Sequence, residues 1–172
     1  NSKDDVLLTV ENLPAGSSVR LAVMDRFDGN VWNLSDSTMS SDSSNYRRVG
    51  TSITNSAEGK KFTATFTVDK GLSDYWLPMA GAASSVTFDN SENSDSFFYN
   101  SDAMSAIYPS RTSEGLTYTE TGIMPMVPTD KQIAKTDAAA ISQPKAEDVP
   151  DCVDKLATAI AGGQSKGGEA AQ

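Results

Sequence analysis

Apolar and polar residues alternate along most of the first 125 positions. In "KKFTATFTV", Phe62, Ala64, Phe66 and Val68 share one face, the period-two pattern of a half-buried strand and the clearest in the chain. "VRLAVMDRF" does the same, with Val19, Leu21, Val23 and Asp25 opposite Arg20, Ala22, Met24 and Arg26. The next residues, Asp28 to Asn30, tolerate positive φ, so the spacing predicts a hairpin that returns through "VWNL". "VLLTVENL" ahead of Pro14, "YRRVGTSI", "GAASSVTF" and "SFFYN" supply further strands. "DYWLP" is stopped by Pro78, and "GLTYTETGIMPMV" gives a last strand interrupted by Pro125 and Pro128. Ser35 to Asn45 and "DNSENSD", Asp89 to Asp95, are polar without period and read as loops. Short strands at this spacing, with no helical period between them, predict a mainly β, sandwich-like antiparallel domain over residues 5–127.

Beyond Pro128 the composition shifts to lysine, alanine and proline. Residues 128–147 read as a linker with one short helix around Asp130 to Ile141. "DVPDCVDKLATAIAGG" then predicts a C-terminal α-helix. Asp148 is its candidate N-cap, Pro150 falls in the first turn, and Gly162 and Gly163 close it. Val149, Val153, Leu156, Ala157 and Ile160 recur at helical spacing, a stripe that requires a partner. The opening, "NSKDDVLLTV", carries neither an initiator Met nor a signal sequence and reads as the interior of a longer protein.

Charge and residue counts narrow the chemistry. Fourteen basic residues stand against 23 acidic ones, a net charge of −9, which opposes nucleic acid and anionic lipid surfaces. No run of about 18 apolar residues occurs, so this segment is not expected to insert into a membrane. Histidine is absent, which removes the usual general base of serine and cysteine hydrolases and the commonest transition-metal ligand. A hydrolase built on two carboxylates survives composition, as the last of three alternatives. The single cysteine, Cys152, has no histidine to activate it and sits in an alanine-rich helix, where it reads as a small, partly buried residue.

No catalytic, cofactor or metal residues are therefore assigned. Asp25 and Asp28 are three apart, the wrong spacing for a calcium loop, and read as turn residues. Asp89, Ser91, Asn93 and Asp95 alternate but lack the central glycine and the bidentate glutamate, so that stretch also reads as a loop. Trp32, Trp76, Tyr75, Phe97, Phe98, Tyr99 and Tyr108 are expected chiefly in the core. Were they exposed, they would suit a carbohydrate- or peptide-binding β module, the second alternative.

"VRLAVMDRFDGNVW" resembles the segment that, in bacterial membrane-anchored transglutaminase-like proteins, lies between the transmembrane helices and the transglutaminase-like core. Arg20, Asp25, Phe27, Asp28, Gly29 and Trp32 carry the likeness. "WLP" (Trp76 to Pro78) and "GLTYT" (Gly115 to Thr119) echo it further along. The tail is similar to the first helices of the transglutaminase-like fold, which implies that residues 148–172 begin that domain and that its catalytic Cys, His and Asp lie downstream. Cys152 departs from the family's catalytic motif, in which the cysteine follows a glycine and precedes aromatic residues. The resemblance implies a non-catalytic spacer or interaction domain, extracytoplasmic at the bacterial cell surface and tethered by helices outside this segment. Its expected partners are the downstream domain of the same chain and cell-wall or surface proteins. On this reading Asp25 and Asp28 orient a structural hairpin and Trp32 fills the core.

Overall fold

The computed structural model describes residues 5–24, 26–27, 29–33, 46–50, 52–137, 149–163 and 167–170. It divides into two compact units, Asn1–Met126 and Val127–Gln172. Among its described residues the first holds twelve strands: β1 (Leu8–Glu11), β2 (Val19–Arg20), β3 (Arg26–Phe27), β4 (Trp32–Asn33), β5 (Arg47–Arg48), β6 (Gly59–Val68), β7 (Trp76–Leu77), β8 (Met79–Ala80), β9 (Ala82–Phe88), β10 (Phe98–Asn100), β11 (Ser105–Ile107) and β12 (Thr117–Pro125). One four-stranded antiparallel sheet runs β1-β6-β12-β9 and a second runs β5-β10-β11-β7, with small pairs β2-β8 and β3-β4 beside them. The chain is mainly β, as its alternation predicts.

The long strands form where the alternation is most regular. On β6, Phe62, Ala64, Phe66 and Val68 are all buried, and β12 pairs with them in register over nine positions. Phe66 lies opposite Tyr118, and the two rings stack with centroids 5.1 Å apart. The outer faces of the same strands carry threonines in cross-strand pairs, Thr63 with Thr121 at 3.0 Å and Thr65 with Thr119 at 3.3 Å, an arrangement that suits β-branched polar residues on a solvated sheet.

The second sheet is apolar on both faces. Leu77, Tyr99 and Ala106 point into the core shared with the first sheet, where Phe88 meets Phe97, Tyr108 and Tyr118 at centroid distances of 5.6 to 5.8 Å. Phe98 and Ile107, offset by one residue, join Tyr46 and Trp76 in a smaller cluster, and the Tyr46 hydroxyl lies 2.7 Å from Ser105 Oγ. Two sheets sharing one core make the unit sandwich-like.

Several segments depart from the expectation. "VRLAVMDRF" is not one strand: its last residues, Arg26 and Phe27, pair in the β3-β4 hairpin, Leu21 and Met24 between are exposed, and at its start only Val19 and Arg20 pair, with Ala80 and Met79. The pairing stops because its partner is two residues long. Pro78 lacks an amide hydrogen at one end of β8, and Gly81, at φ +49°, turns the chain at the other. A Cβ on Gly81 would fall 2.4 Å from the Ile123 carbonyl oxygen, so no other residue fits that turn. "DNSENSD" is not a loop, since Ser91–Ser96 form a 3-10 helix whose Asn90 side chain accepts from the Glu92 amide at 3.1 Å. β11 has no counterpart in the alternation pattern; it is defined by its neighbours β10 and β7.

The second unit contains α1 (Asp130–Ile133), α2 (Asp151–Ala161) and α3 (Gly167–Ala170). The expected helix from Asp130 toward Ile141 is a single turn among the described residues. On α2 the N-cap is Pro150, two residues later than Asp148, which lies outside the described residues. Gly162 caps the other end in a right-handed conformation, donating to the Thr158 carbonyl at 2.9 Å. Cys152 is exposed rather than partly buried, and Leu156 and Ile160 of the apolar stripe are 61 and 68% exposed.

Candidate functional site

Of the six motif residues, Phe27, Gly29 and Trp32 belong to the β3-β4 hairpin, and Arg20 lies on β2. The hairpin forms as predicted: Phe27 pairs with Trp32 and Arg26 with Asn33, and Gly29 takes φ +102° in the turn. Asp25 and Asp28 lie outside the described residues. Trp32 does not fill the core, because it is 57% exposed. Arg20, on β2, donates from Nη1 to the Met104 carbonyl at 2.6 Å, far along the chain from the hairpin.

The aromatic residues divide unevenly. Phe97, Phe98, Tyr99 and Tyr108 are buried, whereas Tyr75 is partly exposed with the Arg111 guanidinium 4.6 Å from its ring centroid. An exposed aromatic platform is therefore reduced to Trp32 and Tyr75. A groove of about 370 Å³ opens along the outer side of β9, lined by Val49, Val86, Phe88 and Phe97 with Arg48 and Ser94. The other half of that edge is occupied: Ile53 donates its amide to Ser84, and Asn55 Nδ2 donates to the Ala83 carbonyl at 2.8 Å.

The unusual chemistry is deeper, at a residue that the sequence pattern gives no reason to single out. Glu120 sits at the middle of β12, between Ala64 of β6 and Val86 of β9, on the inward face and 0% exposed. It is there because the chain changes sheets beside it. Between β7 of one sheet and β9 of the other, Pro78 to Gly81 cross the side of the sandwich, and their backbone lies partly outside any ladder. Two side chains of β12 serve that crossing. Tyr118 donates its hydroxyl to the Pro78 carbonyl at 2.6 Å, and Glu120 Oε2 accepts from the Ala80 amide at 2.8 Å.

A third side chain serves the first residues of β9. The pairing of β12 with β9 slips between Thr121 and Gly122, where a Cβ on Gly122 would lie 2.4 Å from the Ala82 carbonyl oxygen. The Ala83 amide, beside the slip, donates to the Tyr99 hydroxyl at 3.2 Å.

Burial governs the electrostatics of this cluster. Removal from water raises the Glu120 carboxyl from 4.5 to about 8, opposed by the Ala80 amide and the Arg20 charge. At neutral pH the group is mostly uncharged. A neutral carboxyl places its carbonyl oxygen, Oε2, on the Ala80 amide and its proton on Oε1, which has no hydrogen-bond partner among the described residues. Burial also raises the Tyr99 and Tyr118 hydroxyls, Tyr118 well above its ordinary value, and the Glu120 charge adds to both. Among the described residues no three acidic or cysteine side chains gather as a metal cluster would require. The cluster therefore supplies one buried proton and three ties to irregular backbone. It has no nucleophile paired with a base.

These features define a sandwich-like β domain whose distinctive polar residues serve its own backbone. The family model of the TgpA N-terminal domain matches residues 1–126, most of the chain, and the chain belongs to that family, the region ahead of the transglutaminase-like core. No curated protein and no solved structure matches it.

Proposed function

We propose that this chain is a non-catalytic, extracytoplasmic spacer or interaction domain of a membrane-anchored TgpA-type protein, and that it positions the transglutaminase-like domain that follows. The observation that carries the reading is the family match over residues 1–126, coextensive with a β unit that has its own core. The amino-acid content agrees, since no histidine is present to serve a cysteine nucleophile. The exposed stripe of α2, Val153, Leu156 and Ile160, is the surface that the following domain would cover, because an 11-residue helix is marginal in water without packing.

Placement outside the cytoplasm is tested through Cys152, the only cysteine of the chain and exposed. In spheroplasts expressing the parent protein, a membrane-impermeant maleimide should label wild type more than Cys152→Ser. Equal labelling that separates only after lysis would overturn the extracytoplasmic assignment. The positioning role predicts that replacing residues 5–126 with a flexible linker of equal length lowers the activity of the parent while leaving the isolated downstream domain unaffected. Undiminished activity would overturn it.

A further inference from the structure

The β10-β11 turn is held by side chains from two places. Asn100 Oδ1 accepts from the amides of Asp102 and Ala103 at 3.0 and 3.1 Å. Arg20, from β2, donates to the Met104 carbonyl at 2.6 Å. Met104 stands at φ +48°, a conformation that non-glycine residues rarely adopt without outside support. The Arg20 charge also acts on Glu120 and on Tyr99, so one guanidinium serves both the surface turn and the buried carboxyl. Arg20 pairs across β2-β8 with Met79, next to the Ala80 whose amide binds Glu120.

We propose that Glu120 and Arg20 form a proton-operated latch. With the carboxyl neutral, Arg20 remains on the Met104 carbonyl and fixes the turn from Ser101 to Met104; with the carboxyl ionised, Arg20 turns toward it and the turn is released. The physical reason is asymmetry of cost. A neutral carboxyl with one hydrogen bond is tolerated inside a core, whereas a carboxylate there must find a counter-charge. Among the described residues, Arg20 is the cation whose charge acts on it. Among the described residues Tyr99 from β10 and Tyr118 from β12 are the other titratable groups around Glu120, both neutral while Glu120 ionises, and its neighbours on β6, β8 and β9 are Ala64, Ala80 and Val86. Asp102, in the turn itself, is exposed. The proton leaves to solvent, and the net result is exchange of a charge-assisted hydrogen bond at Met104 for an ion pair at Glu120. Release would remodel a surface turn at the end of the second sheet in mildly alkaline surroundings.

The test uses nuclear magnetic resonance on the whole chain between pH 6 and 9. The Glu120 carboxyl carbon should titrate with a midpoint near 8, and the amides of Ala103, Met104 and Ser105 should shift with that same midpoint. Their exchange protection, corrected for the intrinsic rate, should fall above it while that of Thr65 and Phe66 holds. In Glu120→Gln the turn amides should stop titrating and stay protected. In Arg20→Met they should lack protection already at pH 6. A carboxyl that titrates near 4.5, turn amides that do not follow it, or an Arg20→Met protein whose turn remains protected would each overturn the latch.

Discussion

Replacing Tyr118 by alanine is expected to lower the folding stability of the β unit by about 3 to 5 kcal/mol, the range for emptying a large aromatic site in a core. Its side chain is 0% exposed, stacks on Phe66 and touches Phe88, so removal leaves both rings facing a void. The hydroxyl adds a separate effect. It is the donor to the Pro78 carbonyl, and Tyr118→Phe leaves that carbonyl unpartnered at a cost of about 1 to 3 kcal/mol with the ring still in place. Urea denaturation of the two variants separates packing from hydrogen bonding. If Tyr118→Ala costs no more than Tyr118→Phe, packing of the Tyr118 ring against Phe66 and Phe88 contributes nothing to the stability of the core. For a domain whose whole stability is about 5 to 15 kcal/mol, the alanine variant stands at the margin of folding.

Stability should also fall as pH rises from 6 to 8, by about 2 kcal/mol, because of Glu120 alone. The folded-state value of about 8 lies above the ordinary 4.5, so between the two the folded chain holds a proton that the unfolded chain has lost. Stability from that proton is fully present below about 4.5 and is lost as pH rises through 8, with a slope of about 1.4 kcal/mol per pH unit in between. The absence of histidine leaves this window clear of the side chain that ordinarily titrates there. Glu120→Gln provides the control. Its amide oxygen can accept the Ala80 hydrogen, it carries no charge to bury, and its stability should be level across the same range and exceed wild type at pH 8. Equal slopes in the two proteins would mean that Glu120 is ionised in the folded state and that another group supplies the dependence.

Much of the fold was legible along the chain, and the reason differs by element. β6 and β12 alternate along most of their length, and β9 does so from Val86 to Phe88, because each has one face in the core and one in water, so burial is written every second residue. The β3-β4 hairpin was legible because Gly29 in its turn meets a backbone requirement that few residues satisfy. The second sheet was harder to read, since Phe98 and Ile107 are buried on one face while Tyr99 and Ala106 are buried on the other, and a strand apolar on both sides has no period. "VRLAVMDRF" misled in the opposite direction. Its alternation is regular, but a strand needs a partner as long as itself, and β8 is confined between Pro78 and Gly81.

The order of residues alone establishes a mainly β chain, acidic and without histidine, followed by an amphipathic helix, because composition and periodicity are read along the chain. It could not assign Glu120. In "TYTETG" that residue looks like one more polar position among threonines, yet it falls on the inward phase of β12. Only the tertiary structure brought Pro78 to Ala80 across the side of the sandwich, with an amide and a carbonyl in need of partners, and set Tyr118 and Glu120 opposite them. Burial of the carboxyl, its retained proton and its link to Arg20 all follow from that crossing, which joins segments 40 residues apart. Contacts between distant segments are set by which strand lies beside which, and no local pattern records them.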